Sequence, residues 1–227
     1  MARGRAANYD DQRDMILARA AGLFAQRGYP STSMNQVAEA CGLSKATLYH
    51  YYRDKYTLLV SIADDHVSRL AALVEDENAL ALQGEARLRH FIQRIVAEYA
   101  DAQDAHRVLT EDVKFLEPTD RARVLGTERK VVAGFAKAVA EMRADRPGAP
   151  PSIQLSKPLT MLLFGMINWM FTWMKPGGDL DHAAMGPIVA DLFIGGIGAV
   201  EGPPAVNATV KASVKKPARR SSVRAPL

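Results

Sequence analysis

The chain has 227 residues, 48% of them hydrophobic and 24% charged, enough for one generous domain or two modest ones around a sizeable core. Its single cysteine, Cys41, excludes an internal disulfide framework, and the polar N-terminus has no apolar run of signal-peptide length, so a cytoplasmic protein is expected. The net charge of +4 is divided: residues 1–56 carry eight Lys/Arg against five Asp/Glu, residues 57–202 fifteen against twenty, and residues 203–227 six against none, which directs a polyanion to the ends of the chain.

Helical periodicity sets in at Asp11. From there to Gln26, Ile16, Leu17, Ala20, Ala21 and Phe24 mark one face, and Gly28 lies just past the end as a stop. Ser33 and Gln36 have the capping-box spacing. Met34, Val37, Ala38 and Cys41 form an apolar stripe, and Gly42 can take the left-handed conformation that ends a helix. Ser44 can cap a helix over 45–52, and Asp54 another that begins near Lys55. Further helices are expected over 55–76, 85–101, 104–116, 119–142, 155–175 and 182–199, with a break at "LEPTD" in which Asp120 caps after Pro118. No alternating Val/Ile/Thr run is bounded by hairpin turns, so the expected fold class is all-α. The uncharged segment Leu159–Met174 is sixteen residues long and contains Asn168. A membrane span needs roughly 20 apolar residues, so a helix buried in a core or subunit interface is expected, with no membrane partner. From Gly202 the composition turns to Pro, Ala, Ser, Lys and Arg without periodicity, and 202–227 reads as a disordered basic tail.

Helix 33–41, a turn at 42–44 and helix 45–52 make a helix-turn-helix, whose second helix enters the DNA major groove with its first residues at base edges. Lys45, Ala46 and Thr47 then lie where bases are read, and Leu48 and Tyr52 point back into the bundle. Tyr49, Tyr51, Tyr52 and Tyr56 crowd the stretch "SKATLYHYYRDKY" with His50. Phenols are rigid, neutral donors for a phosphate track, flanked here by Lys45 and Lys55. Lys55 falls at a helix start, where its charge and the free N–H groups attract phosphate.

Residues 13–59, "ILARAAGLFAQRGYPSTSMNQVAEACGLSKATLYHYYRDKYTLL" within them, resemble the DNA-binding region of the TetR family of transcriptional regulators. Tyr52 stands in place of the usual phenylalanine, and Tyr56 precedes the usual leucine pair. The resemblance implies DNA contacts at Ser33, Asn35, Lys45, Ala46, Thr47, Tyr49, His50, Tyr51 and Lys55, with Tyr49 and Lys55 on phosphates. It implies a helix-turn-helix DNA-binding domain over 1–56 and a helical ligand-binding and dimerisation domain over 57–201. The stretch "LLFGMINWMFTWMKPGGDLD" and the apolar helix after it are similar to a subset that responds to acyl-CoA thioesters. In that reading Phe164, Asn168 and Trp169 line the effector site, some of Arg87, Arg89, Arg94, Arg107, Arg121, Arg123 and Arg129 meet the CoA phosphates, and helices about 155–175 and 182–199 pair across a homodimer. The implied function is a repressor released from a pseudo-palindromic double-stranded operator by a small hydrophobic effector. A repressor of an efflux gene answering to a xenobiotic, and a sequence-blind architectural DNA binder suggested by the basic tail, are the alternatives.

An enzyme acting on acyl groups is the competing class. No G-x-S-x-G elbow, phosphate loop or His/carboxylate constellation supports it. His50, His66, His90, His106 and His182 have no zinc-type pairing, so neither a metal nor a cofactor nor catalytic residues are expected.

Overall fold

The computed structural model describes residues 2–144, 153–174, 180–197 and 199–200. The proposed basic tail, 202–227, lies outside the described residues. Within them the chain runs through α1 (Ala2–Arg27), α2 (Met34–Ala40), α3 (Lys45–Tyr51), α4 (Lys55–Ala79), α5 (Gly84–Asp101), α6 (Gln103–Asp112), α7 (Pro118–Ala144), α8 (Ile153–Asn168) and α9 (His182–Ile197). Short 3-10 turns, Val113–Phe115 and Met170–Thr172, follow α6 and α8. No strand occurs among the described residues, and none of their helices is long and apolar enough to cross a membrane.

The boundaries depart from the sequence expectation in physically traceable places. α1 starts at Ala2, well before Asp11, because "ARGRAANYD" holds no proline and needs no apolar stripe to stay helical. The expected helix 155–175 stops at Asn168. The Trp169 carbonyl there accepts both the Thr172 N–H at 3.1 Å and the Thr172 hydroxyl at 2.7 Å, which tightens the chain into a 3-10 turn. Asp120 does not cap α7. Pro118 occupies the first helical position, where its missing N–H costs nothing, and the Asp120 carboxylate instead accepts from the Tyr56 hydroxyl at 2.7 Å and from Arg123 at 2.8 Å.

Two apolar cores are stacked along α4. Leu58, Leu59 and Ile62 join Phe24 of α1, Val37 of α2 and Leu48 of α3 in the first. About two turns further on, Leu70 and Val74 enter the second, with Phe91, Phe135 and Phe164 from α5, α7 and α8. The first core also takes in Leu109, Leu116 and Val124, so side chains from both sides of position 56 share it. Where α4 crosses α7, a methyl group added at Gly134 would lie 2.3 Å from Val74 Cγ1, and only glycine permits that approach.

Candidate nucleic-acid interface and internal cavity

The helix-turn-helix is built by local chemistry. Ser33 and Gln36 form the capping box at the start of α2: the Gln36 N–H donates to Ser33 Oγ at 3.3 Å, and the Ser33 N–H donates to Gln36 Oε1 at 2.8 Å. At its end Gly42 has φ +65°, and the N–H groups of Gly42 and Leu43 donate to the carbonyls of Glu39 and Ala38, a Schellman stop that turns the chain into α3. Ser44 Oγ accepts the Thr47 N–H at 3.1 Å and caps α3. Leu48 is fully buried and Tyr52 is buried, pinning the inner face of α3. Burial of a leucine side chain contributes roughly 1.5–3 kcal/mol.

Lys45, Ala46, Thr47, Tyr49 and His50 are left on the exposed face, with Ser33 and Asn35 exposed at the start of α2. The Lys45 ammonium stands 5.7 Å from the centre of the Tyr49 ring. Thr47 Oγ1 lies 2.8 Å from Ser44 Oγ, so its hydroxyl already has a partner while its methyl remains available.

The tyrosine crowd separates into different roles. Tyr49 is outward. Tyr51 is half-buried and stacks on Tyr9 of α1 with ring centres 4.8 Å apart, a contact missed in the sequence because Tyr9 precedes the expected start of α1. Tyr52 is core. The Tyr56 hydroxyl donates to Asp120 and accepts the Glu117 N–H at 3.0 Å, tying the start of α4 to α7. Tyr52 and Tyr56 are therefore structural, Tyr52 in the bundle as its spacing to Leu48 suggests, and of the four only Tyr49 is fully outward. Lys55 also does structural work: Nζ donates to the carbonyls of Tyr29 at 2.8 Å and Pro30 at 3.1 Å and sits 4.5 Å from the centre of the Tyr29 ring. Beside it, Asp54 accepts the Thr57 N–H at 2.7 Å, and that bond holds its carboxyl below the usual range despite partial burial.

In the second core a cavity of about 200 Å³ opens between α4, α5, α6, α7 and α8. Phe164 and Asn168 line it, as do Tyr99, His106, Thr110 and Glu128 among apolar neighbours. The Tyr99 hydroxyl donates to Asn168 Oδ1 at 3.0 Å, so the half-buried amide oxygen has a partner within the chain. Trp169 lies elsewhere, 67% exposed, with Trp173, Ile188 and Leu192 on an outer apolar face of α8 and α9. The cavity thus brings together two of the three expected ligand residues and leaves out the third. His66 Nε2 lies behind it, 3.3 Å from Nδ1 of the lining His106, and His106 stacks on Tyr99 with ring centres 3.8 Å apart. Burial pushes the pKa of His66 down to about 3, with His106 and Arg69 adding to the effect, and that of His106 down to about 4, so both rings are neutral near pH 7. Burial raises the Glu128 carboxyl.

Several of the expected phosphate-binding arginines are engaged. Arg87 pairs with Glu141, Arg89 with Glu85 and Asp191, Arg107 with Glu111, and Arg123 with Asp64 and Asp120. Arg94 also has a partner, whereas Arg121 and Arg129 are exposed. No group of His, Cys, Asp and Glu among the described residues could hold a metal ion.

Comparison with known proteins supplies the family. The sequence model of bacterial regulatory proteins of the tetR family matches residues 16–62, and that of a tetracyclin repressor-like C-terminal domain matches residues 81–197. The transcriptional activator FasR of Mycolicibacterium smegmatis is 26% identical over 122 residues, 54% of this chain and 56% of its own length, so the chain spans little more than half of that relative. A TetR-family regulator from Bordetella parapertussis is 30% identical with a TM-score of 0.74, over 84% of this chain and 98% of its own. AibR, solved with isovaleryl coenzyme A and operator DNA, is 24% identical with a TM-score of 0.66 over 81% of this chain and 96% of its own, a likeness of fold. With both family models matched and the helix-turn-helix and helical body in place, the chain belongs to the TetR family of transcriptional regulators, a family of DNA-binding proteins and not of enzymes.

Proposed function

We propose that this chain is a homodimeric repressor that sets one α3 into each of two major grooves of a pseudo-palindromic operator and is released by a small, largely apolar effector bound in the α4–α8 cavity. The observation that carries the DNA half is the N-terminus of α3: Lys45, Ala46, Thr47 and Tyr49 face outward while Leu48 anchors the helix from behind. Lys45 and Tyr49 are suited to phosphate or guanine, the Thr47 methyl to a thymine, and Asn35 and Ser33 to the flanking backbone. His50 and Tyr51 lie at the outer rim, and Lys55 retains one ammonium N–H for phosphate. The dimer would close through α8 and α9, where Trp169 and Leu192 are each 67% exposed; apolar area of this kind is what twofold interfaces bury.

The route from cavity to DNA runs through α6. Leu109, Thr110 and Val113 line the cavity, and Leu109 also belongs to the first core with α1 and α4. Just beyond, the Phe115 ring lies 5.5 Å from that of Tyr29, in the loop that Lys55 clamps. An effector that shifts α6 would tilt the reading head, lowering operator affinity by its preference for the shifted state.

An acyl-CoA thioester fits the apolar part of the cavity, and AibR provides a precedent of fold. The engaged arginines leave Arg121 and Arg129 as the remaining candidates for the CoA phosphates. A free acid, its CoA thioester, CoA alone and a neutral aromatic are to be titrated against a genomic DNA fragment selected by the full chain. Release by at least one probe, abolished when Val132→Trp fills the cavity, supports the reading. Release that survives Val132→Trp, or no release with any of these probes or with an aromatic or aliphatic amine added to the panel, contradicts it.

A further inference from the structure

Glu128 is an outlier in its own helix. It falls four residues after Val124 and three before Val131, on the stripe that α7 turns inward, where Phe135 and Val139 follow. The side chain reaches the cavity as the only charged group in the lining, and it has no hydrogen bond or ion pair among the described residues. Glu128 and Tyr99 line the same cavity, so the carboxylate shares that interior with the phenol. Burial acts on it more strongly than the nearby Arg129, which is itself exposed. His106 in the lining and His66 behind it are neutral near pH 7, so they supply no internal countercharge.

Most other polar groups of the lining are committed: Tyr99 to Asn168, and the Thr110 hydroxyl to the His106 carbonyl at 2.9 Å. His106 Nε2 is the second lining atom without a partner. A carboxylate held partly out of water and unpaired is costly, and that cost is relieved by a ligand bearing the opposite charge. The volume sets a size. A dry cavity of about 150 Å³ holds benzene, so about 200 Å³ suits a body of one ring or a short chain.

We infer that the effector is a small amphipathic cation, a protonated amine on a one-ring or short aliphatic body, with its charge against Glu128 and its body among Leu70, Leu109, Val131 and Phe164. This rests on the reading of the cavity as the effector site. The same carboxylate disfavours free acids and repels CoA phosphates, which assigns the cavity to the xenobiotic-type effector in preference to the thioester.

Calorimetry on the full chain tests the inference directly, with 2-phenylethylamine, n-hexylamine, 2-phenylethanol, 3-phenylpropanoate and isovaleryl-CoA as probes. The proteins are the parent, Glu128→Gln and Val132→Trp. At least one amine binds the parent more tightly than the alcohol, and the carboxylate and thioester do not bind. Glu128→Gln weakens the amine by roughly 30-fold or more, the scale of removing one partner of a buried charge pair, and the alcohol far less. Val132→Trp removes both. Amine binding indifferent to Glu128→Gln, a preference for the acid or thioester, or no amine binding at all overturns the inference. Two outcomes separate its failure from that of the underlying reading. Alcohol or thioester binding that equals or exceeds that of every amine and is lost in Val132→Trp keeps the cavity and rejects the cation, whereas binding that survives Val132→Trp rejects the cavity itself.

Discussion

Lys55 shows how one residue can be assigned twice. Its place at a helix start suggests phosphate, but two of its three N–H bonds are directed at the Tyr29 and Pro30 carbonyls, so most of its effect is on the shape of the reading head. Lys55→Ala is expected to lower stability by about 1–2 kcal/mol, the loss of hydrogen bonds from a charged donor at a part-buried site. Lys45 is exposed and makes no such bonds. Lys45→Ala is expected to leave the thermal midpoint unchanged and to reduce the log K versus log[salt] slope by about 1.8 per dimer, at 0.9 for each phosphate. Melting curves and salt titrations of the two variants check this. A larger slope change for Lys55→Ala with no loss of stability would reverse the assignment. The same scale shows what could be read from the chain alone. The Ser33–Gln36 box, the Ser44 and Asp54 caps and the Gly42 stop depend on residues within a few positions of one another, so spacing reveals them. The fates of Tyr51 and Tyr56 depend on Tyr9 and Asp120, 42 and 64 residues away, and no local pattern announces them. Glu128 was legible: its three- and four-residue spacing to Val131 and Val124 puts a carboxylate on a buried stripe, a signal that the arginines on the same helix obscured.

Among the elements, α4 and α6 are joined by the two buried histidines, and this contact has a pH signature. Both groups titrate near 6.5 in the unfolded chain and lower in the folded one, so the unfolded chain binds protons first as the pH falls. Their contribution is fully present above pH 6.5 and is lost as the pH drops towards about 4 for His106 and about 3 for His66. Each histidine should subtract about 1.4 kcal/mol per pH unit in that window. Denaturation midpoints between pH 6.5 and 5, above the range of ordinary carboxylates, should fall steeply for the parent and less steeply for His106→Gln; equal slopes would remove the pair from the account. α8 and α9 present the other elemental question. Their inner faces, Leu163 and Val189 among them, fill the second core, but Trp169, Ile188 and Leu192 face outward. The expected dimer helices thus keep one face for the chain itself and leave the other open, a division that apolar content alone cannot show because both faces are hydrophobic. Leu192→Glu spares the core and would place an unpaired charge in the proposed interface, at about 3–5 kcal/mol. Sedimentation should show monomers at concentrations where the parent is dimeric; an unshifted dimer would move the interface elsewhere.

At the scale of the whole molecule, the two cores share α4, and α6 lies at both, since Leu109 belongs to the first core and lines the cavity of the second. The link is reinforced at the surface, where Arg123 joins Asp64 to Asp120 and Asp120 receives the Tyr56 hydroxyl. Asp120 was expected to cap a helix and instead connects the reading head to the body, a role set by tertiary contact alone. If effector binding acts by shifting this arrangement, the DNA-bound form must be a discrete dimer in which two α3 helices have a defined separation. The most direct measurement is a nuclease footprint of the full chain on a DNA fragment that it selects from genomic DNA. The account predicts one bounded protected segment that does not lengthen with protein concentration, containing two half-sites of twofold symmetry centred about 34–36 Å apart or a multiple of that repeat. Protection that spreads along the duplex as protein is added, with no symmetric half-sites, would contradict it and mark the chain as a sequence-blind coat.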